Sequence, residues 1–165
     1  MRNVIIQNAA RDGLILGAAA VIFIFLIPSA FWITAILQFA KLGLTIGLFW
    51  YLMKRQSARS EVFTYSNAIG YGTLTAVFSA FILGVVYFLQ FTVISPELTE
   101  LMLMNMMQVY EQMNMPELVE AVDSFRPYIP YTVFIICLFY YTLIGLVYSL
   151  IIGHFVKHRT PPSFI

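Results

Sequence analysis

The residues best equipped for chemistry lie at a few definite places. Six methionines, Met102, Met104, Met106, Met107, Met113 and Met115, crowd one short stretch. Thioethers are soft ligands that favour Cu(I), so this spacing raises an external copper site. No cysteine or histidine lies nearby to complete a conventional soft set, so the same residues read rather as a flexible apolar face touching lipid, the bundle or a partner. His154 and His158 stand four apart, a spacing that lets two imidazoles share a metal, yet no acid or cysteine accompanies them. Beside Lys157 and Arg159 they read as a helix C-terminus meeting lipid headgroups. Cys137 is the single cysteine, so no intrachain disulfide forms and the redox compartment stays open.

The other chemistry-bearing residues fall inside long apolar runs. Thr45, Thr75, Ser79, Tyr140, Tyr141 and Thr142 sit near mid-depth of those runs; with Lys41, four of them (Thr75, Ser79, Tyr140 and Tyr141) make a candidate pocket. Hydroxyls in such runs otherwise bond to helix backbone. Lys41 is about one and a half turns inside its run, near enough for its stem to carry the ammonium outward; the alternative is a buried functional lysine. The spans as read contain no Asp or Glu, which argues against an ion-coupled carrier. There is no Gly-rich phosphate loop, no pair of carboxylates within a span, and no nucleophile with a histidine at helical reach. The chain therefore reads as a non-enzyme with no cofactor and no metal site.

The elements that must hold these residues follow from composition. A chain of 165 residues that is 61% hydrophobic and 10% charged lies outside the soluble range of roughly half apolar and a quarter charged. A run of about 20 apolar residues crosses a bilayer as a helix. Four runs qualify, at about 14–32, 36–53, 67–91 and 128–153. They are continuously apolar, without the alternation of barrel strands. A basic start, an apolar run and Pro28-Ser29-Ala30 also fit a secretory signal peptide, but the apolar character continues to Trp50 and predicts a retained anchor.

Charge sets the expected orientation. Arg2, Arg11, Lys54, Arg55, Arg59, Lys157 and Arg159 share one side with only Asp12 and Glu61. The long connection on the other side holds Glu97, Glu100, Glu111, Glu117, Glu120 and Asp123 against Arg126 alone. The positive-inside rule then places both termini in the cytoplasm. The basic residues are too few for nucleic-acid binding and match a membrane-flanking collar.

Small residues recur four apart on every span: Gly13 and Gly17, Gly43 and Gly47, then Ala68, Gly72, Ala76, Ala80 and Gly84, then Gly145, Ser149 and Gly153. Such faces let helix backbones approach closely in lipid. The third span is thus the expected central, best-packed helix, with Gly145, Ser149 and Gly153 of the fourth also expected to pack, and the third span's small-residue face serves the internal bundle or a seam between copies. In the connection at 95–127, Ser95-Pro96-Glu97 has the order of an N-cap, a first-turn proline and an acid, predicting a helix to about Met113. Pro116-Glu117 starts another, with Leu118, Val122 and Phe125 on its apolar face.

Phe63-Thr64-Tyr65-Ser66-Asn67-Ala68 leading to Gly72, the Ser95-Pro96-Glu97 start of an acidic, methionine-containing region, and Gly145 followed by Ser149-Leu150-Ile151 before a basic tail resemble domain of unknown function 4199. Members of that family are found mainly in Bacteroidota. The resemblance runs over nearly the whole chain, though the first hairpin matches in hydrophobicity alone. It implies a four-helix inner-membrane protein and carries over no catalytic or binding residue.

The expected architecture is an all-α membrane protein, one integral domain over 1–165, with four transmembrane helices and two short amphipathic helices in the outer connection between the third and fourth. Its expected place is the bacterial inner membrane. The leading functional expectation is a non-catalytic accessory or scaffold that binds a membrane partner or itself. A translocator of lipid or lipid-linked small molecules and copper handling by the methionines are the alternatives.

Overall fold

The computed structural model describes residues 2–25 and 31–156, without the side chains of Arg2, Asn3 and 31–34. Within them the order is α1 (Arg2–Phe25), α2 (Phe31–Arg59), α3 (Tyr65–Leu89), a π-helical turn (Gln90–Ile94), α4 (Glu97–Gln112), α5 (Pro116–Ser124), a 3-10 turn (Arg126–Tyr128) and α6 (Ile129–Phe155). The described residues contain no strand. Four stretches are long and apolar enough to cross a membrane: Val4–Phe25, Ala35–Arg59, Tyr65–Ile94 and Arg126–Phe155. The chain is a multi-pass membrane protein. Ile22, Phe39, Phe81, Phe139 and Ile151, each more than half exposed, supply the apolar exterior that lipid requires and water would not tolerate.

Two compact units divide the chain. The first comprises Met1–Leu83 and Leu138–Ile165. Its core gathers Ala9 and Leu16 of α1, Phe49, Leu52 and Met53 of α2, Ala68, Tyr71 and Ala76 of α3, and Ile152 of α6. The side chains that meet are small where helices approach most closely. A Cβ on Gly13 would come within 2.6 Å of Phe78 Cβ and 2.7 Å of the Thr75 carbonyl, so α1 lies directly on the α3 backbone. A Cβ on Gly72 would come within 2.8 Å of Met53 Cε and 2.9 Å of Ser149 Cβ, and one on Gly145 would collide with Ala76.

The second unit is Gly84–Cys137. Here Leu103 of α4, Val122 of α5 and Ile129 of α6 are buried together, with Phe91, Met107, Tyr110 and Val133 packed around them. The helix start at Ser95 differs from its sequence reading. α4 begins at Glu97 with no side-chain cap, and the Ser95 carbonyl, not its hydroxyl, accepts the Leu98 N–H at 3.0 Å. Of the three apolar residues expected on one face of α5, only Val122 is buried, while Leu118 and Phe125 are exposed. α4 ends in a Schellman turn: Asn114 takes φ 54°, its N–H reaches the Glu111 carbonyl, and the Met115 N–H reaches the Tyr110 carbonyl, each at 3.0 Å.

Candidate functional site

The first unit carries a polar cluster that the reading of the spans missed. By sequence, Asp12 falls in a cytoplasmic connection and no span holds an acid. In the structure α1 begins at Arg2, and Asp12 lies eight residues into the stretch Val4–Phe25, with 3% of its surface exposed. A hydropathy window ends at Arg11 and Asp12 because it counts charges. The helix continues because Ala9, Leu16, Ala20 and Ile24 form a buried stripe, and Asp12 with Gly13 lies on it. That stripe, legible at helical spacing, is the signal that could have found the site.

Three helices converge on Asp12. The Tyr71 hydroxyl of α3 donates to Asp12 Oδ2. Arg55 Nη1 of α2 lies 3.7 Å from Asp12 Oδ1, with its side chain one quarter exposed. One turn away from Asp12 on α1, Asn8 Nδ2 donates to Gln56 Oε1 at 3.0 Å; Gln56 Nε2 then donates to Ser60 Oγ at 3.3 Å. Thr75, 1% exposed, donates back to the Tyr71 carbonyl at 2.9 Å. A carboxylate taken out of water costs several kcal/mol unless paired and hydrogen-bonded. Asp12 is both, so the cluster acts chemically as a tether between α1, α2 and α3.

The residues expected to pack helices, Ala68, Gly72, Ala76, Ala80, Gly84, Gly145, Ser149 and Gly153, are all buried. In the first unit Gly72 meets Ser149 and Met53, Gly145 meets Ala76, and Gly153 meets Ala68 and Tyr65; in the second Gly84 meets Phe134. Ser149 donates to the Gly145 carbonyl at 2.6 Å. Gly43 and Gly47 of α2 behave differently: a Cβ at either meets nothing within 4 Å, and both are exposed.

The candidate pocket is brought together in part. Lys41, Thr45, Tyr140 and Tyr141 line one groove of about 360 Å³ between α2 and α6. Lys41, Ser79 and Tyr141 line a smaller cavity of about 70 Å³ together with Leu16 and Ala76. Thr75 is apart, bonded within α3. Lys41 stands six residues into the stretch Ala35–Arg59 and lines the inner cavity as well as the groove.

The methionines divide. Met102, Met106 and Met113 line an apolar groove of about 680 Å³ along α4, whereas Met107 and Met115 line another beside Glu111 and Asp123. Arg126 pairs with Glu100 and, at 3.1 Å, with Asp123. Among the described residues no three His, Cys, Asp or Glu side chains gather as a metal set. His154 stacks edge-on against Phe155, and His158 lies outside the described residues. So do Pro28-Ser29-Ala30, Lys157 and Arg159.

Residues 11–158 match the model of a protein family of unknown function, DUF4199, and the chain belongs to that family. No curated protein and no solved structure matches.

Proposed function

We propose that this DUF4199 protein is a non-catalytic accessory or scaffold of the bacterial inner membrane, with both termini in the cytoplasm and α4 and α5 forming an amphipathic cap outside. It works by docking a membrane-embedded helix of a partner or a second copy. The observation that carries this reading is the open face of α2. Gly43 and Gly47 lie one turn apart with nothing against them, and Ile36, Ala40, Trp50 and Tyr51 on the same face are exposed. In lipid, a small-xxx-small face lets two backbones approach, and van der Waals contact then holds them. The other small-residue faces are already occupied within the chain, so they leave this one for association.

Translocation of a lipid or lipid-linked small molecule has less support. The inner cavity is only about 70 Å³, and its lining is mostly carbon. Copper handling likewise loses force, because the methionines line two separate grooves.

The test is Gly43→Leu with Gly47→Leu, followed by native mass and affinity purification from membranes in mild detergent. Loss of the recovered partner or dimer, with an unchanged melting midpoint, supports the reading. Unchanged recovery sinks it.

A further inference from the structure

We infer that the groove between α2 and α6 binds an anionic membrane lipid, with the lipid phosphate held by Lys41. This inference is independent of the scaffold reading, since the groove and the Gly43–Gly47 face lie on opposite sides of α2.

Position is the first argument. Lys41 and Thr45 continue the inward stripe of α2 that runs through Phe49, Leu52 and Gln56. Further along, that stripe is covered by the core. At Lys41 it is only partly covered, which leaves the groove of about 360 Å³, within the roughly 300–1,000 Å³ of ordinary ligand sites. Lys41 also lines the inner cavity together with Ser79, so the residue borders both spaces.

Charge is the second. Among the described residues Lys41 has no ion-pair partner, and no acidic residue lines the groove or the cavity. An ammonium inside a membrane span normally pairs, or marks a ligand path. Gln38, Thr45 and Tyr148 line the same groove and carry amide and hydroxyl groups, donors suited to phosphate oxygens.

Access is the third. The groove opens past Phe39, 76% exposed, and Tyr140, 58% exposed, both within the spanning segments. A ligand entering there comes from the bilayer. Its apolar part rests on Phe39, Leu42 and Ile144, while its negative head meets Lys41, which selects an anionic lipid over a zwitterionic or neutral one.

The experiment is native mass spectrometry of the full chain in detergent, titrated separately with dioleoylphosphatidylglycerol, dioleoylphosphatidylcholine and dioleoylglycerol. The wild type is expected to retain phosphatidylglycerol about tenfold better than either other lipid, a difference of about 1.4 kcal/mol. Lys41→Met should bring the ratio near one and Lys41→Arg should keep it. Because Lys41→Met removes a charge from a span, it is not expected to impair folding, and its melting midpoint is read on the same sample. The variant Lys54→Gln with Arg59→Gln removes two of the three basic residues at the end of α2, sparing Arg55 beside Asp12, and controls for loose attraction of anionic lipid. A preference that survives Lys41→Met, or disappears with the collar instead, overturns the inference. So does equal retention of the three lipids by the wild type.

Discussion

The Tyr71 hydroxyl of α3 donates to the Asp12 carboxylate of α1, and both residues are almost wholly buried, at 1% and 3% exposure. Arg55 of α2 completes the contact, so one acid ties three helices at a single level. Tyr71→Phe leaves Oδ2 of the buried Asp12 carboxylate without its donor and should destabilise the chain by about 1–3 kcal/mol. Asp12→Leu strands the tyrosine hydroxyl at comparable cost. The double variant Asp12→Leu with Tyr71→Phe should be more stable than the sum of the two losses, because both polar groups leave together. Unfolding midpoints of the four proteins in a denaturing-detergent titration measure this. Simple additivity would show that the bond does not hold the helices.

Gly145→Leu should prevent the bundle from closing. Its side chain would occupy the space of Ala76, and an overpacked core costs typically about 1–3 kcal/mol, with more expected where backbone must move. Gly43→Leu adds its side chain to open space and should leave the melting midpoint within error. Thermal unfolding of the two variants in the same detergent distinguishes closed from open glycine faces. Equal destabilisation would contradict the packing.

Asn114 is the only non-glycine residue with positive φ among the described residues, at the turn that ends α4. Asn114→Gly should be neutral or slightly stabilising, whereas Asn114→Val should cost about 1 kcal/mol or more, since a branched side chain crowds the left-handed conformation. Hydrogen exchange along α4 and α5 provides the local readout. Equal exchange in the two variants would count against the turn.

Orientation is testable through the lone cysteine. In a Cys137→Ser background, a cysteine replacing Glu111 or Glu120 should react with an impermeant maleimide on intact cells. One replacing Ser60 should react only after the membrane is opened. The opposite pattern would reverse the expected topology.

Much of the architecture was legible from composition and run length. Continuous apolar stretches have few ways to satisfy their backbone in lipid, and a helix satisfies it within the segment itself, so hydropathy alone specifies four spanning helices. The family was legible from residues such as Ser66-Asn67 and Gly145, and the small-residue spacing marked helix faces made for close contact. What hydropathy could not supply was the partner of each face. The same four-residue spacing marks Gly72, closed against Ser149, and Gly47, open to lipid, because spacing describes one helix whereas contact depends on which neighbour lies there. Asp12 shows the same division. Its charge led a one-dimensional reading to start the span after it, and only the arrival of Tyr71 and Arg55 from two other helices makes its burial affordable. For Lys41 the run length left outward reach and burial both open, and the groove it lines exists only because α6 runs beside α2. Helix formation was decided by local chemistry; which charges are buried was decided by tertiary contacts, since desolvation is offset only by partners distant in the chain.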